Sequence, residues 1–302
     1  MKILVTGGCG FIGSNLVDRL VKDGHKVGVI DDLSAICHDQ FYYNDNATYY
    51  KNDISDYENT RVLYDDVDFV FHLAAESRIQ PALENPLQTV KTNTLGTATV
   101  LQCSREAGVK RVMYSSTSSA YGTNTPPLYE EMDDDCLNPY SVAKVAGEKL
   151  CKMYNDLFSL QTVVFRYFNV YGPREPVKGP YAPVVGLFLR QKRAGELLTI
   201  VGDGGQKRDF THVDDVVQAN INAMNLLSTH YGYSWGTPIN IGTGKNYSVL
   251  ELARLISGEV KFIPQRPGEA RETLADASKA EYVLGWTAKK KITDYIEEQL
   301  KL

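Results

Sequence analysis

The chain has 302 residues, a net charge of −5, 43% hydrophobic and 23% charged residues. This composition supports a buried core and excludes intrinsic disorder, and the length suits two packed domains. The scattered basic residues exclude a nucleic-acid track, and no apolar stretch is long enough to span a bilayer.

Lys2–Thr6 predicts a first strand. Met1 leads straight into it, without the charged region, apolar run and cleavage site of a secretory leader, so the cytoplasm is the expected address. Phe11–Lys22 predicts a helix and Lys26–Ile30 a second strand. An apolar run at Phe69–Ala75, a helix near Pro86–Ala107 and a strand at Arg111–Ser115 follow. A helix from about Pro139 to Leu157 and a strand at Thr162–Arg166 come next. Strands alternating with helices require crossover connections, and strands that are apolar throughout fit a parallel sheet covered on both faces. After Gly172-Pro173 the pattern loosens, as Pro173, Pro176, Pro180 and Pro183 break regular structure. A helix near Val184–Ala194, a run at Leu198–Val201 and a loop at Gly202–Arg208 mark the start of a smaller domain. A helix near Val213–Leu227 and a strand near Pro238–Ile241 are expected to return to the sheet. Helices near Val249–Ile256 and Lys279–Leu284, and one ending the chain, complete the reading.

Thr6-Gly7-Gly8-Cys9-Gly10-Phe11-Ile12-Gly13 joins the first strand to the first helix. Residues without a bulky Cβ let the backbone turn sharply and approach a pyrophosphate, and the helix start offers free N–H groups. Gly7, Gly10, Phe11, Ile12 and Gly13 are therefore expected to hold a dinucleotide. Asp31 and Asp32 follow the second strand, Asp31 lying 18 residues beyond Gly13. A carboxylate there accepts from ribose hydroxyls and repels a 2′-phosphate, which favours NAD over NADP. Asp53 and Ile54, after the third strand, are expected near the adenine. The fold is then α/β: a Rossmann-type doubly wound parallel sheet with a smaller C-terminal α/β substrate domain. The expected division gives residues 1–172, with a return near 210–243, to NAD binding. Residues 173–209 and 244–302 go to the substrate.

Tyr140 and Lys144 stand four apart, on one face of the helix that Pro139 opens. A lysine ammonium near a phenol favours the phenolate, so Tyr140 is expected to act as a general base near neutral pH. The hydroxyl cluster Ser115-Ser116-Thr117-Ser118-Ser119 ends the preceding strand, where parallel sheets place ligands.

In these features the chain resembles the extended short-chain dehydrogenase/reductases, specifically the NAD-dependent nucleotide-sugar epimerases and dehydratases. The resemblance covers nearly the whole chain. It rests on the GGCGFIGS turn, Asp31, HLAA at 72–75, Asn93, the Ser/Thr cluster ending in Tyr121-Gly122, and YSVAK. RYFNVYGPR at 166–174, RDFTHVDDV at 208–216, RPGE at 266–269 and LGW at 284–286 add to it. It implies Tyr140 as base, Lys144 as its modulator and ribose contact, and Thr117 as the catalytic hydroxyl. It also implies Leu73, Ala74, Ala75, Asn93, Ser115 and Tyr167 along the cofactor. Ser118, Asn169, Val184, Arg208, Arg266, Glu269 and Thr273 would meet the substrate. Of these, Asn169, Arg208 and Arg266 would hold the nucleotide diphosphate and Glu269 its ribose; arginine forks suit a diphosphate.

Family members share a first step, in which the base takes the 4-hydroxyl proton while hydride leaves sugar C4 for NAD. Dehydratases of the family carry Asp-Glu directly after the catalytic threonine, and uronate decarboxylases carry Glu at the position of Ser119. Here Ser118-Ser119 stand there, which leaves hydride return and 4-epimerisation. The expected substrate is a UDP-hexose or UDP-N-acetylhexosamine. Thr273, at a position where relatives of this type carry a bulky tyrosine, would leave room for an N-acetyl group. Alternatives are a dehydratase, decarboxylase or 4-keto-sugar reductase of the same family, or an NAD-binding regulator on the same fold. The resemblance also implies a homodimer through the helices near Pro86–Ala107 and Pro139–Leu157. His72 and His212 lack metal-ligand spacing and read as structural. Cys9, Cys37, Cys103, Cys136 and Cys151 form no CxxC pair and read as free thiols, with no metal site.

Overall fold

A computed structural model describes residues 1–35, 40–177, 181–227, 233–256 and 259–302. Cys37 and Pro180 lie outside the described residues.

Short β-branched runs build the main sheet. It contains β1 (Lys2–Thr6), β2 (Lys26–Asp31), β3 (Ala47–Lys51), β4 (Phe69–His72), β5 (Arg111–Thr117) and β6 (Gln161–Tyr167). After β7 (Val170–Tyr171), β8 (Leu198–Val201), β9 (Lys207–Asp209) and β10 (Thr211–His212), the chain returns with β11 (Pro238–Ile241), the sheet's last strand. The order is β3-β2-β1-β4-β5-β6-β11, with every pair parallel. This is the doubly wound Rossmann order extended by one strand. Alternate residues of each strand go to opposite faces. Ile3 and Val5 of β1 join one apolar cluster and Leu4 joins another.

The first face is covered by α1 (Phe11–Lys22), α8 (Val213–Met224) and α10 (Ser278–Leu284), through Leu16, Val17, Val216, Val217 and Val283. The second is covered by α5 (Thr97–Glu106) and α6 (Pro139–Phe158), through Val100, Leu101, Cys151 and Tyr154. The short α2 (Tyr57–Thr60), α3 (Ile79–Glu84) and α4 (Pro86–Val90) lie in the crossovers that precede α5. A third cluster gathers α7 (Val184–Arg193), β8, α9 (Val249–Ile256) and α11 (Ile292–Lys301). There β13 (Val260–Ile263) pairs in parallel with β8, while β12 (Asn246–Ser248) pairs antiparallel with β9.

Four local expectations change. The helix expected over Pro86–Ala107 is interrupted at Lys91–Gly96 by a wider π turn. There Asn93 is fully buried with its amide turned onto the backbone of Glu76, and a Cβ on Gly96 would stand 2.7 Å from Ile54. A π turn at such a position re-aims a side chain. Second, β5 runs two residues beyond Ser115, because Ser115–Thr117 stay in register with Phe165–Tyr167. Third, the loop expected over Gly202–Arg208 ends in β9, which β12 completes as its partner. Fourth, α10, expected with the smaller domain, packs on α8 and β11 and buries Ala280 and Leu284 in the first cluster.

Candidate active site

The strand order reverses between β1 and β4, so their carboxyl ends splay apart and leave a crevice. A cleft of about 500 Å³ opens there and runs on to residues of the smaller cluster. At its floor the turn after β1 lies tight against the segment after β4. Gly7 adopts φ +70°, and a Cβ on it would stand 2.6 Å from the backbone nitrogen of Ala74. A Cβ on Gly13 would overlap the Gly7 carbonyl. Gly10 caps α1 without a side-chain acceptor, and no acid sits in the first turn. The N–H groups and positive end of the helix therefore face the cleft unopposed, as an anion-binding start requires.

Asp31 ends β2 and lines the same cleft. Its carboxylate accepts from Cys9 N–H at 2.9 Å and Leu33 N–H at 3.0 Å, which fixes it against the glycine turn. Burial pushes its pKa up despite those donors. Asp32, more exposed, accepts from Ser34 N–H at 3.0 Å. Ile54 lines the cleft, but Asp53 does not. The Asp53 carboxylate accepts from Ser55 N–H and pairs with Lys91, both at 2.8 Å; these contacts outweigh burial and hold it below the ordinary carboxylate value.

Leu73, Ala74 and Ala75 form one wall. A directed chain of hydrogen bonds holds it. Asn93 clamps Glu76, its Oδ1 accepting from the N–H at 2.8 Å and its Nδ2 donating to the carbonyl at 2.9 Å. Thr97 donates to the Asn93 carbonyl at 2.7 Å and so accepts from His72 Nε2 at 2.9 Å. His72 Nδ1 then accepts from the Thr6 hydroxyl at 2.7 Å, and that oxygen accepts from Ala74 N–H at 3.3 Å. Every donor and acceptor is matched only if His72 is neutral with its proton on Nε2. Burial agrees, pushing its pKa down to about 3. His72 is structural, and Asn93 supports the wall from behind, outside the cleft lining. His212 is likewise structural: its Nδ1 caps α8 at Asp214 N–H, 3.1 Å away. Among the described residues no group of three or more His, Cys, Asp or Glu is placed to hold a metal.

The reacting end is built by β5 and α6. Asn138 caps α6 by accepting from Ser141 N–H at 2.9 Å, and its amide donates to the Gly268 carbonyl at 2.9 Å. The helix start is thereby tied to the RPGE segment. Tyr140 and Lys144, one turn apart, both line the cleft. Thr117 lines the cleft with them, its hydroxyl accepting from Ser119 N–H at 3.1 Å. Lys144 is 2% exposed, with its ammonium 4.4 Å from the Tyr114 ring centroid. Burial pushes its pKa down to about 7. The charge of Glu148, one turn further on and bound by Arg166 at 2.7 Å and by Ser116, offsets only part of that burial. The sequence led to an expectation that Lys144 lowers the Tyr140 pKa. Among the polypeptide's own groups burial dominates and raises it, while the Thr117 hydroxyl and the charge of Arg78 act the other way.

Ser115 donates to the Tyr167 hydroxyl at 3.2 Å, and Asn220 also donates to it at 2.8 Å; both Ser115 and Tyr167 line the cleft. Ser118, Asn169, Val184, Arg208, Arg266, Glu269 and Thr273 line its far part. Asn169 Nδ2 is buried without a partner. Arg208 lies 3.7 Å from Glu269, and Arg266 sits 5.4 Å over the Tyr181 ring. Thr273 is buried, its hydroxyl accepting from Asp209 N–H at 3.4 Å. Arg78 and Glu175 are among the lining residues that the sequence reading did not name. Each stands one to three residues past a motif, after HLAA and after YGPR, and position at those strand-end motifs was the available signal. Cys9 lies in the glycine turn, but burial and Asp31 push its thiol up to about 12, so it is not a nucleophile.

Comparison with known proteins agrees with this geometry. The UDP-glucose 4-epimerase of Mycolicibacterium smegmatis is 38% identical over 300 residues, spanning 95% of this chain and 93% of that protein. The crystal structure of UDP-glucose 4-epimerase from Thermotoga maritima with UDP-glucose superposes with a TM-score of 0.92 at 36% identity, covering 100% of this chain and 98% of that one. The UDP-N-acetylglucosamine 4-epimerase of Methanobrevibacter ruminantium, solved with UDP-N-acetylmuramic acid, gives 0.90 at 32% identity over 99% and 97%. The model of the NAD dependent epimerase/dehydratase family matches residues 3–242. With its glycine turn, its Asp31 and its Tyr140–Lys144 pair, the chain belongs to the NAD-dependent epimerase/dehydratase family.

Proposed function

We propose that this protein interconverts UDP-hexoses or UDP-N-acetylhexosamines at C4, and that Tyr140, Thr117 and Lys144 carry the chemistry. It is an isomerase, an NAD-dependent nucleotide-sugar 4-epimerase. The observation that carries the reading is that Tyr140, Lys144 and Thr117 line one cleft together, with Ser118 and Ser119 following Thr117 where eliminating and decarboxylating relatives carry acids.

The residues fit the cofactor. A Cβ would fill the Gly7 cradle, the first turn of α1 is free of acids, and Asp31 stands at the end of β2. Gly7, Gly10, Phe11, Ile12 and Gly13 would hold the pyrophosphate, and Asp31 and Asp32 the adenosine ribose. Ile54 would meet the adenine. Leu73, Ala74, Ala75, Ser115 and Tyr167 would line the nicotinamide half, with Asn93 supporting them. Bound NAD supplies a reversible hydride acceptor at sugar C4. Tyr140 takes the 4-hydroxyl proton and returns it, Thr117 orients that hydroxyl, and Lys144 binds the ribose and modulates Tyr140. Asn169, Arg208 and Arg266 hold the diphosphate, Glu269 the ribose of the substrate nucleotide, and Val184 presents the start of α7. Uridine is the favoured base because the relatives named above act on UDP-sugars. Thr273 leaves the N-acetyl position open.

The domain division takes residues 1–172 with 210–243 as the cofactor half and 173–209 with 244–302 as the substrate half, α10 excepted. Leu83, Leu87, Val90, Leu95 and Val142 are exposed on α3, α4, the π turn and α6, elements that pack on one another, which supports a homodimer through these elements. Among the described residues no helix is long and apolar enough to cross a membrane, and Cys9, Cys103, Cys136 and Cys151 are free thiols. These features favour the cytoplasm.

The test is a panel of UDP-sugars, including UDP-glucose and UDP-N-acetylglucosamine, given to the purified protein without added NAD and followed by NMR. A 4-epimer is expected from at least one. Absence of any 4-epimer across the panel would remove the reading.

A further inference from the structure

Arg78 occupies the cap position just before α3, and its half-buried side chain lines the cleft. Its Nε is buried without a hydrogen-bond partner, and no carboxylate among the described residues stands within ion-pair distance of it. Holding a guanidinium in a partly dry cleft without an anion is unfavourable unless a ligand brings one. The other cations of the cleft are differently placed. Arg208 has Glu269, Arg266 has the Tyr181 ring, and Lys144 is buried with its ammonium over the Tyr114 ring.

The charge of Arg78 is felt by the Tyr140 hydroxyl and by the Glu175 carboxyl. The first puts Arg78 within reach of the reacting end of the cleft, which both residues line. The second is no counter-ion at neutral pH. Glu175 is buried beneath α7 at Gly186, and neither carboxyl oxygen has a partner. Burial pushes its pKa up to about 8, so it stays protonated and leaves the charge of Arg78 uncompensated.

A hexose that offers its 4-hydroxyl to Tyr140 brings only two substituents close to it, the 3-hydroxyl and C6 on ring atom C5. Of these only C6 carries a full negative charge, when it is oxidised to a carboxylate. We propose that Arg78 sets specificity at C6 and that this cleft takes a nucleotide-linked hexuronic acid, whose carboxylate pairs with the Arg78 guanidinium. The pairing suits the planar fork of arginine. The inference rests on the 4-epimerase reading, since it uses Tyr140 to locate C4.

Glu175 supplies a second consequence. The charged and titratable groups facing it are Arg78, from the segment before α3, and Tyr295 of α11. As pH rises through about 8, Glu175 ionises, competes for Arg78 and repels a sugar carboxylate. The KM for a uronate then rises, while that for a neutral hexose rises less. In Glu175→Gln this pH dependence is lost.

The experiment compares UDP-glucuronate with UDP-glucose, which differ only at C6, in turnover and in equilibrium binding. The wild type, Arg78→Gln, Arg78→Lys and Glu175→Gln are measured at pH 7 and pH 9. Wild type is expected to accept UDP-glucuronate. Arg78→Gln should lower the UDP-glucuronate to UDP-glucose ratio of kcat/KM about tenfold or more, a span typical of a lost charged hydrogen bond, and Arg78→Lys should recover part of it. An unchanged ratio in Arg78→Gln, or a wild type that binds UDP-glucose and ignores UDP-glucuronate, would overturn the proposal. If no sugar gives a 4-epimer, the 4-epimerase reading fails, while the affinity ratio still decides the role of Arg78.

Discussion

At the scale of single residues, the account turns on a phenol that burial makes reluctant to ionise. Tyr140 has Thr117 and Arg78 to ease its proton off, and Lys144 beside it is pushed down to about 7 by its own burial. Removing the Tyr140 hydroxyl leaves the ring, the Asn138 cap and the glycine turn in place. Tyr140→Phe is therefore expected to lower turnover at least about a hundredfold, the lower end of general acid–base contributions. The NAD that copurifies should stay bound, as read by absorbance and by release on denaturation. Turnover near wild type would exclude Tyr140 as the base. The Tyr–Lys spacing was legible because an i, i+4 pair on a helix is a local geometric fact. The lysine's lowered pKa was not, since it comes from burial under Tyr114, a contact made across the fold.

At the scale of elements, the wall after β4 depends on the π turn between α4 and α5. That turn delivers Asn93 to Glu76, and Thr97 and His72 extend the support to Thr6 at the end of β1. Asn93→Ala leaves the Glu76 N–H and carbonyl unpaired, at a cost of roughly 1–3 kcal/mol. Lower thermal stability and weaker NAD binding should appear together, by calorimetry and by titration. Loss of stability with NAD affinity intact would show that the wall does not depend on the clamp. The sequence placed most strands of the main sheet and most of the longer helices because apolar runs and capping residues are local signals. It read a plain helix across Lys91–Gly96, since a π turn has no composition of its own. The short β7, β9, β10 and β12 were invisible for a related reason: two or three residues acquire strand geometry only from the partner that pairs with them.

At the scale of the whole molecule, the parallel sheet fixes a crevice between β1 and β4, and the third apolar cluster stands across from it to supply the substrate arginines. Motifs far apart in sequence, YSVAK, RDFTHVDDV and RPGE, meet because Asn138 ties α6 to Gly268 and β9 carries Arg208 beside Glu269. Family motifs marked those segments; the partnerless Nε of half-buried Arg78 and the buried carboxyl of Glu175 became visible only once the chain was folded. The exposed apolar residues that include Leu87, 82% exposed, lie on the elements assigned to a second copy of the chain. Leu87→Glu should convert a species of twice the 33.7 kDa chain mass into one of that mass in sedimentation, and a wild type that sediments as the single chain would contradict the dimer. The central claim is that the hydrogen removed from C4 returns to C4 on the other face. UDP-glucose labelled with deuterium at C4, incubated in ordinary water without added NAD, tests it most directly. The account predicts UDP-galactose with the deuterium retained at C4; loss of the label to solvent, or its appearance at another carbon, would contradict it.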